Sequence, residues 1–172
     1  MLGGSNNVKI LGFTDSDWAN CLDIRWSIGR YLFTLGSGPI SWQSQRQRTI
    51  ATSSCEAEYT AAFEASKEAI WLHTLLSHIG FTPISPTTLL CNNNVTITLS
   101  EDPAFHARVK HFDVWYHFLR EHAQSNKISL SYVNNQDNIA DIFTKPLDAT
   151  IFAWLQTFLG LTKPDSIWRG VS

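Results

Sequence analysis

The 172-residue sequence has few cysteines and no long apolar run. Its three cysteines form no Cys-x-x-Cys pair, which argues against a disulfide framework and a zinc knuckle, and we expect reduced, buried thiols. No apolar stretch reaches the roughly 18–20 residues that a membrane-spanning helix needs. Residues 1–7 also lack the basic-then-apolar order of a signal peptide. We therefore expect an intracellular protein without a membrane partner.

A strong net charge is also absent, since the formal value is −2 at pH 7. The chain as a whole does not attract a polyanion, so nucleic-acid binding would have to come from local patches. Residues 41–48 carry Arg46 and Arg48 without an acid, and residues 103–127 are rich in basic and histidine side chains. Ordinary solvated surface is the alternative explanation for both segments.

The sequence does contain ample material for a hydrophobic core. Hydrophobic residues make up 44% of the chain and charged residues 16%, with seven Trp and ten Phe, which is typical of a folded domain. The length fits a single core. We expect one domain over residues 1–161 and a frayed tail over residues 162–172, where few packing residues follow the last apolar run.

Hydrophobic periodicity predicts strands first and then alternating helices and strands. The predicted strands span residues 8–14, 31–35, 39–42, 87–91 and 128–133. The predicted helices span 53–79, 95–99, 112–125 and a last region over 137–159 that Pro146 divides. A mixed sheet with helices packed on it, in the α/β or α+β class, is the arrangement that this order favours.

Three acids and one amide lie at the predicted ends of these elements: Asp15, Glu58, Asn92 and Asp141. Groups that are distant in sequence can converge at strand termini in an open sheet. Magnesium prefers a few carboxylate oxygens, and two such ions about 3.5–4 Å apart can activate water against a phosphodiester. Turn and helix-cap roles are the alternative explanation for each acid taken singly.

Two of these assignments require a choice between neighbouring acids. Ser53 and Glu56 form a capping-box pattern in which Glu56 would fold back onto the Ser53 amide, so Glu56 has a structural role. Glu58 instead lies on the helix face that packs on the sheet, where a carboxylate is costly without a partner. Asp15 directly follows the predicted first strand, but a one-residue shift of that strand would favour Asp17.

Six ordered segments resemble the ribonuclease H domain of copia-type retrotransposon Pol polyproteins, over about residues 8–161. They include GFTDSDWA (12–19), TSSCEAEY (52–59), HARVKHFDVWYHFLRE (106–121) and NIADIFTKPL (138–147). The resemblance implies an α/β, ribonuclease H-like fold with a five-stranded mixed sheet and helices on both faces. It implies a magnesium-dependent endonuclease that cuts the RNA strand of RNA–DNA hybrids, a reverse transcriptase domain of the same polyprotein as partner, and a cytoplasmic (virus-like particle) or nuclear location.

The resemblance also implies the site residues. The catalytic and metal-binding positions, for two Mg²⁺ or Mn²⁺ ions, would be Asp15, Glu58, Asn92 and Asp141. The contacts to the hybrid would be Trp42, Arg46, Arg48, Arg108, Lys110 and His111. For Trp42 a core position is the favoured alternative, because burial of an indole is so favourable. The histidines do not have the i, i+4 spacing of a helical zinc site.

The chain departs from the family pattern at three positions. Asn92 stands where the family has the Asp of a Cys-Asp-Asn motif, which removes a negative charge from the site. We expect cleavage to be weak or lost, and Asn92→Asp to raise it; a non-catalytic or domesticated nucleic-acid-binding module is the alternative. Decay, domestication and an introduced substitution would each account for Asn92. Trp26 stands where the family has a basic residue, and Arg30 stands where it has a glycine. If that glycine has positive φ, the arginine would lower the stability of the fold by about 1 kcal/mol.

Overall fold

The computed structural model describes residues 6–18, 26–36, 38–101, 113–143 and 148–160. Three of the predicted hybrid contacts, Arg108, Lys110 and His111, lie outside these ranges, as do the predicted tail and Cys21. Within them Cys91 is buried and Cys55 is half-buried, both as free thiols. None of the helices in these ranges is both long enough and apolar enough to cross a bilayer.

The centre of the fold is a five-stranded mixed sheet. In chain order the strands are β1 Asn7–Val8, β2 Ile10–Asp17, β3 Ile28–Leu35, β4 Gly38–Arg46, β5 Thr82–Pro83, β6 Thr87–Cys91 and β7 Ile128–Tyr132. The large sheet has the order β4-β3-β2-β6-β7, and β1 pairs with β5 in a separate two-stranded sheet. β2, β3 and β4 are antiparallel neighbours, whereas β6 runs parallel to both β2 and β7.

Helices cover both faces of the sheet. They are α1 Ser54–His78, α2 Asn94–Glu101, α3 Asp113–Gln124 and α4 Ala149–Phe158, with short 3-10 helices at Asn135–Asp137 and Ile139–Phe143. Phe33 of β3 packs in one core with Tyr59 of α1 and Leu119 of α3. Phe13 of β2 packs on the opposite face with Leu155 of α4. The predicted α/β fold with helices on both faces is confirmed.

Both ends of α1 are set by side-chain and glycine signals in the sequence. The Ser53 hydroxyl accepts a hydrogen bond from the Glu56 amide at 3.2 Å. Glu56 itself binds the amide of Thr52 at 2.7 Å, so the predicted contact to the Ser53 amide was wrong by one residue. At the other end Gly80 has φ +90°, and the amides of Gly80 and Phe81 donate to carbonyls of the last turn, which is a Schellman ending.

Tertiary pairing extends β2, β3 and β4 beyond their predicted bounds, and β3 begins at Ile28. β2 continues to Asp17 because β3 pairs with it along its whole length, so Asp15 lies inside the strand and does not follow it. β4 likewise continues past Trp42 to Arg46 because it pairs with β3. The 41–48 segment is therefore largely an edge strand.

The predicted last helix is divided, and Asp141 lies in the 3-10 helix Ile139–Phe143 ahead of α4. The Asn138 side chain accepts a hydrogen bond from the Ala140 amide at 3.2 Å. Such local side-chain bonds compete with α-helix formation. The sequence pattern alone did not reveal this competition, because Asn138 precedes an apolar, helix-like run.

Candidate acidic site

Asp15 and Arg30 are direct cross-strand partners in the middle of the sheet. Directly opposed residues of antiparallel strands project to the same face. The Arg30 Nη1 lies 3.3 Å from Oδ2 of Asp15, and its Nη2 lies 3.6 Å from Oδ2 of Asp17. Arg30 is 1% exposed and Asp15 is 5% exposed. A buried guanidinium therefore belongs to the acidic cluster itself.

Asn92 directly follows β6 and reaches the same carboxylate. Its Nδ2 donates to Oδ1 of Asp15 at 3.1 Å and to Oδ1 of Asn135 at 2.8 Å. Its own Oδ1 is buried and has no hydrogen-bond partner among the described residues. Asn92 thus presents its donor group to Asp15, and together with Arg30 it occupies both oxygens of that carboxylate.

Glu58 approaches the cluster from α1, on the other side of β2. Its Oε1 accepts a hydrogen bond from the backbone amide of Ser16 at 3.3 Å. Its Oε2 is buried and has no partner among the described residues. Because Glu58 is only 7% exposed, this carboxyl group is held inside the protein with one oxygen unsatisfied.

Asp141 completes the cluster from the 3-10 helix. The Asn138 Nδ2 donates to the Thr14 carbonyl at 3.0 Å, which ties this 3-10 helix to β2 one residue before Asp15. A small polar pocket results, lined by Asp15, Ser16, Asp17, Arg30, Asn92, Asn135 and Asp141. Three of the four predicted site residues line this pocket, and the fourth, Glu58, is hydrogen-bonded to Ser16 of its lining.

Burial makes the acids of this cluster hard to ionise. Burial, with repulsion from Asp141 and a hydrogen bond to it, raises the pKa of Asp15 to about 7, although Arg30 and Asn92 act in the opposite direction. Burial and the charge of Asp15 raise the pKa of Glu58 to about 8. Such shifts are common where carboxylates crowd into a functional site.

The cluster as it is arranged does not fit a pair of magnesium ions. No three acid, histidine or cysteine side chains within the described ranges come together closely enough to hold a metal ion. Both oxygens of Asp15 are taken by Arg30 and Asn92, and the guanidinium already supplies a positive charge. The unsatisfied oxygens of Glu58 and Asn92 are of the ligand type that magnesium prefers, but they lie beside that charge.

The predicted hybrid contacts on β4 lie on the same face of the sheet as Asp15. Leu32 pairs with Trp42, and Ile28 pairs with Arg46, in the register that also opposes Arg30 to Asp15. Trp42 is 59% exposed, so the core position favoured for it was wrong. Arg46 is exposed, and its Cζ lies 4.8 Å from the ring centre of Trp26. Arg48, beyond the end of β4, is also exposed.

Sequence reasoning missed three residues that shape this site: Arg30, Asn135 and Asn138. Arg30 lies in regular β3 without the strain expected of a glycine replacement, because Asn126 alone among the described non-glycine residues has positive φ. A signal was present, since Arg30 interrupts an otherwise apolar strand. Asn135 and Asn138 gave no signal, because asparagine is common in turns.

The chain is similar to transposon polyproteins over most of its length, although no protein-family model matches it. It is 35% identical to the retrovirus-related Pol polyprotein from transposon RE1 of Arabidopsis thaliana over 92% of this chain. It is 38% identical to that from transposon TNT 1-94 of Nicotiana tabacum, again over 92% of this chain. These matches cover only 11% and 12% of the two polyproteins, so the chain corresponds to a small part of each.

Solved structures show the fold. A crystal structure of LC11-RNase H1 in complex with an RNA/DNA hybrid matches with a TM-score of 0.55 and 12% identity, covering 76% of this chain and 88% of that one. The N-terminal RNase H domain of a Mycobacterium tuberculosis protein matches with a TM-score of 0.51 and 16% identity, covering 87% and 97%. The chain therefore has the ribonuclease H fold, and over most of its length it is similar to a part of the copia-type retrotransposon Pol polyproteins.

Proposed function

We propose that this domain binds RNA–DNA hybrids and descends from a ribonuclease H that cuts their RNA strand, with its own cleavage weak or lost. The observation that carries the proposal is the convergence of Asp15, Asn92 and Asp141 in one polar pocket of a ribonuclease H fold. The family reaction requires two dications beside these side chains. The amide of Asn92 weakens that capacity, because it removes a negative charge and directs a donor toward Asp15.

The surface beside the pocket supports hybrid binding. Trp42 and Arg46 project from the edge strand β4 toward the same side as the pocket. An exposed indole can stack on a base or sugar, and an arginine can pair with phosphate. Arg48 extends this surface, while Arg108, Lys110 and His111 remain predicted contacts. A reverse transcriptase domain of the same polyprotein is the protein partner that this relationship favours.

Fluorescence anisotropy with a labelled RNA–DNA hybrid tests the binding. We expect saturable binding that weakens steeply with added salt. Trp42→Ala should weaken it about fivefold or more, and Arg46→Ala should lower the salt dependence by about one unit of slope. Trp71→Ala is the matched control, since Trp71 is 55% exposed and belongs to α1, which packs on the face of the sheet opposite to that of Trp42.

Two results would contradict the binding proposal. One is the absence of salt-sensitive hybrid binding in the folded parent protein. The other is an equal loss of affinity in Trp71→Ala and Trp42→Ala.

Incubation of the same hybrid with Mg²⁺ or Mn²⁺ then measures cleavage. Rapid, metal-dependent cleavage by the parent would show that Asn92 does not impair the site.

A non-catalytic binding module is the second candidate function, and a specific observation favours it. Asn92 donates to both Asp15 and Asn135, so a metal ion bound at this oxygen of Asp15 would have to displace the Asn92 amide. Hybrid binding without detectable cleavage at any magnesium or manganese concentration is the result that this candidate predicts.

A further inference from the structure

We propose that Arg30 is a built-in cation that takes the place of a metal ion in the acidic pocket, so that Arg30, more than Asn92, opposes metal binding there. The inference rests on the proposed ribonuclease H origin of the cluster. The argument starts from the position of the guanidinium, which lies between Asp15 and Asp17.

The contacts of Arg30 are those of a structural counter-ion. A surface arginine that met nucleic-acid phosphate would need to be accessible, but Arg30 is 1% exposed. Its guanidinium faces two carboxylates, and arginine keeps its positive charge in proteins. Burying Asp15 and Arg30 together avoids the large cost of burying either charge alone. The guanidinium thereby offsets part of the negative charge of the pocket from within.

The same contacts oppose metal binding in two ways. A dication at Asp15 would have to displace a hydrogen bond from Arg30, from Asn92, or from both, since these donors hold the two carboxylate oxygens. It would also meet the guanidinium charge at short range in a partly desolvated site, where like-charge repulsion is strong. Restoring the carboxylate at position 92 removes only one of these obstacles.

Two oxygens in the cluster indicate what the site would do without this charge. Oε2 of Glu58 and Oδ1 of Asn92 are buried and have no hydrogen-bond partner among the described residues. Both are hard oxygen donors of the type that Mg²⁺ and Mn²⁺ accept. Removing the guanidinium would leave Asp15 without its counter-ion next to these oxygens. The pocket would then favour a dication.

The test is a titration of the full chain with Mn²⁺ alone, followed by electron paramagnetic resonance of the free ion and by calorimetry. The proteins are the parent, Arg30→Ala, Asn92→Asp, the double variant and Lys67→Ala. Lys67→Ala is the matched control, because it removes one positive charge from an exposed ion pair with Glu64. Arg30→Ala should bind Mn²⁺ about tenfold or more tightly than the parent, and the double variant most tightly. Asn92→Asp should gain much less Mn²⁺ affinity than Arg30→Ala.

The inference is overturned if Asn92→Asp alone binds Mn²⁺ as tightly as the double variant, or if Arg30→Ala matches Lys67→Ala. Should circular dichroism show that Arg30→Ala is unfolded, Arg30→Gln replaces it, because glutamine keeps a donor for Asp15 without the charge. The comparison of Asn92→Asp with the parent does not depend on the folding of any Arg30 variant. A large rise in the Mn²⁺ affinity of Asn92→Asp, with Arg30 still present, would therefore overturn the inference.

Hybrid cleavage by the double variant separates this inference from the proposed function. Tight Mn²⁺ binding without hybrid binding or cleavage would leave Arg30 as the resident cation and overturn the proposed function. Hybrid binding with unchanged Mn²⁺ affinity in every Arg30 variant would support the proposed function and overturn the inference about Arg30.

Discussion

Glu58 on α1 and Ser16 on β2 are joined by a hydrogen bond of 3.3 Å from the Ser16 amide to the Glu58 carboxyl group. This contact joins the long helix to the strand that carries Asp15. It leaves the second oxygen of Glu58 buried and unsatisfied among the described residues. Burial of Glu58 therefore costs more stability when its carboxyl group is ionised than when it is protonated.

The stability of the domain should fall as the pH rises through neutrality. Burial raises the pKa of Glu58 from 4.5 to about 8 in the folded protein. When folding raises the pKa of an acid, the neutral acid favours the folded state. This contribution to stability is fully present below the pKa of the unfolded state and is lost as the pH rises through the pKa of the folded state. Urea unfolding should show a decrease on the order of 1–3 kcal/mol between about pH 6 and pH 9.

Glu58→Gln should flatten this pH dependence, because the amide remains neutral throughout. Asp15, with its pKa raised to about 7, would still contribute a slope of the same sign. Glu64→Gln, on the exposed side of the same helix, should keep the slope of the parent. An identical slope in the parent and in Glu58→Gln would show that Glu58 is ionised without penalty.

The side-chain amide of Asn138 should be important for stability and for the pocket. Asn138 is 2% exposed, and its Nδ2 donates to the Thr14 carbonyl. Asn138→Ala should lower the free energy of unfolding by about 1–3 kcal/mol, since a buried carbonyl loses its donor. Chemical denaturation measures this change, and Asn134→Ala is the control because Asn134 is exposed and its side chain makes no cap hydrogen bond. Equal losses in the two variants would contradict the role given to Asn138.

Gly12 should tolerate no larger side chain, because neighbouring strands are packed against it. A Cβ at this position would lie 2.5 Å from a ring carbon of Phe33 and 2.6 Å from Cδ2 of Leu89. Gly12→Ala should therefore destabilise the domain by about 1–3 kcal/mol in thermal or urea unfolding. Gly38→Ala is the control, since a methyl group there would meet no atom within 4 Å apart from its chain neighbours. A Gly12→Ala variant as stable as the control would show that the Phe33 and Leu89 side chains can move aside without cost.

Local signals in the sequence were sufficient to predict the elements and much of the site. The apolar period of α1, with Ser53 before it and Gly80 after it, gave that helix to within about two residues. The strand Thr87–Cys91 was predicted with its observed bounds. The burial of Glu58 followed from its place on the apolar face of α1. Each of these inferences uses only residues that are close together in the chain.

The features that could not be predicted depend on pairing between distant segments. The opposition of Arg30 to Asp15 is set by the register of β2 on β3, and a shift of one residue would place the guanidinium on the other face. The exposure of Trp42 follows from β4 being at the edge of the sheet. The bond from Asn138 to Thr14 spans 124 positions, which no local pattern encodes.

That long span also determines when the pocket can form during synthesis. Asp15 and Arg30 lie only 15 positions apart on consecutive strands, so both have been synthesised before α1 begins. The wall that contains Asn135 and Asp141 emerges much later, at about 5–20 residues per second. The nascent chain therefore carries its own positive charge for Asp15 from an early stage, and the carboxylate does not wait unpaired for the rest of the domain.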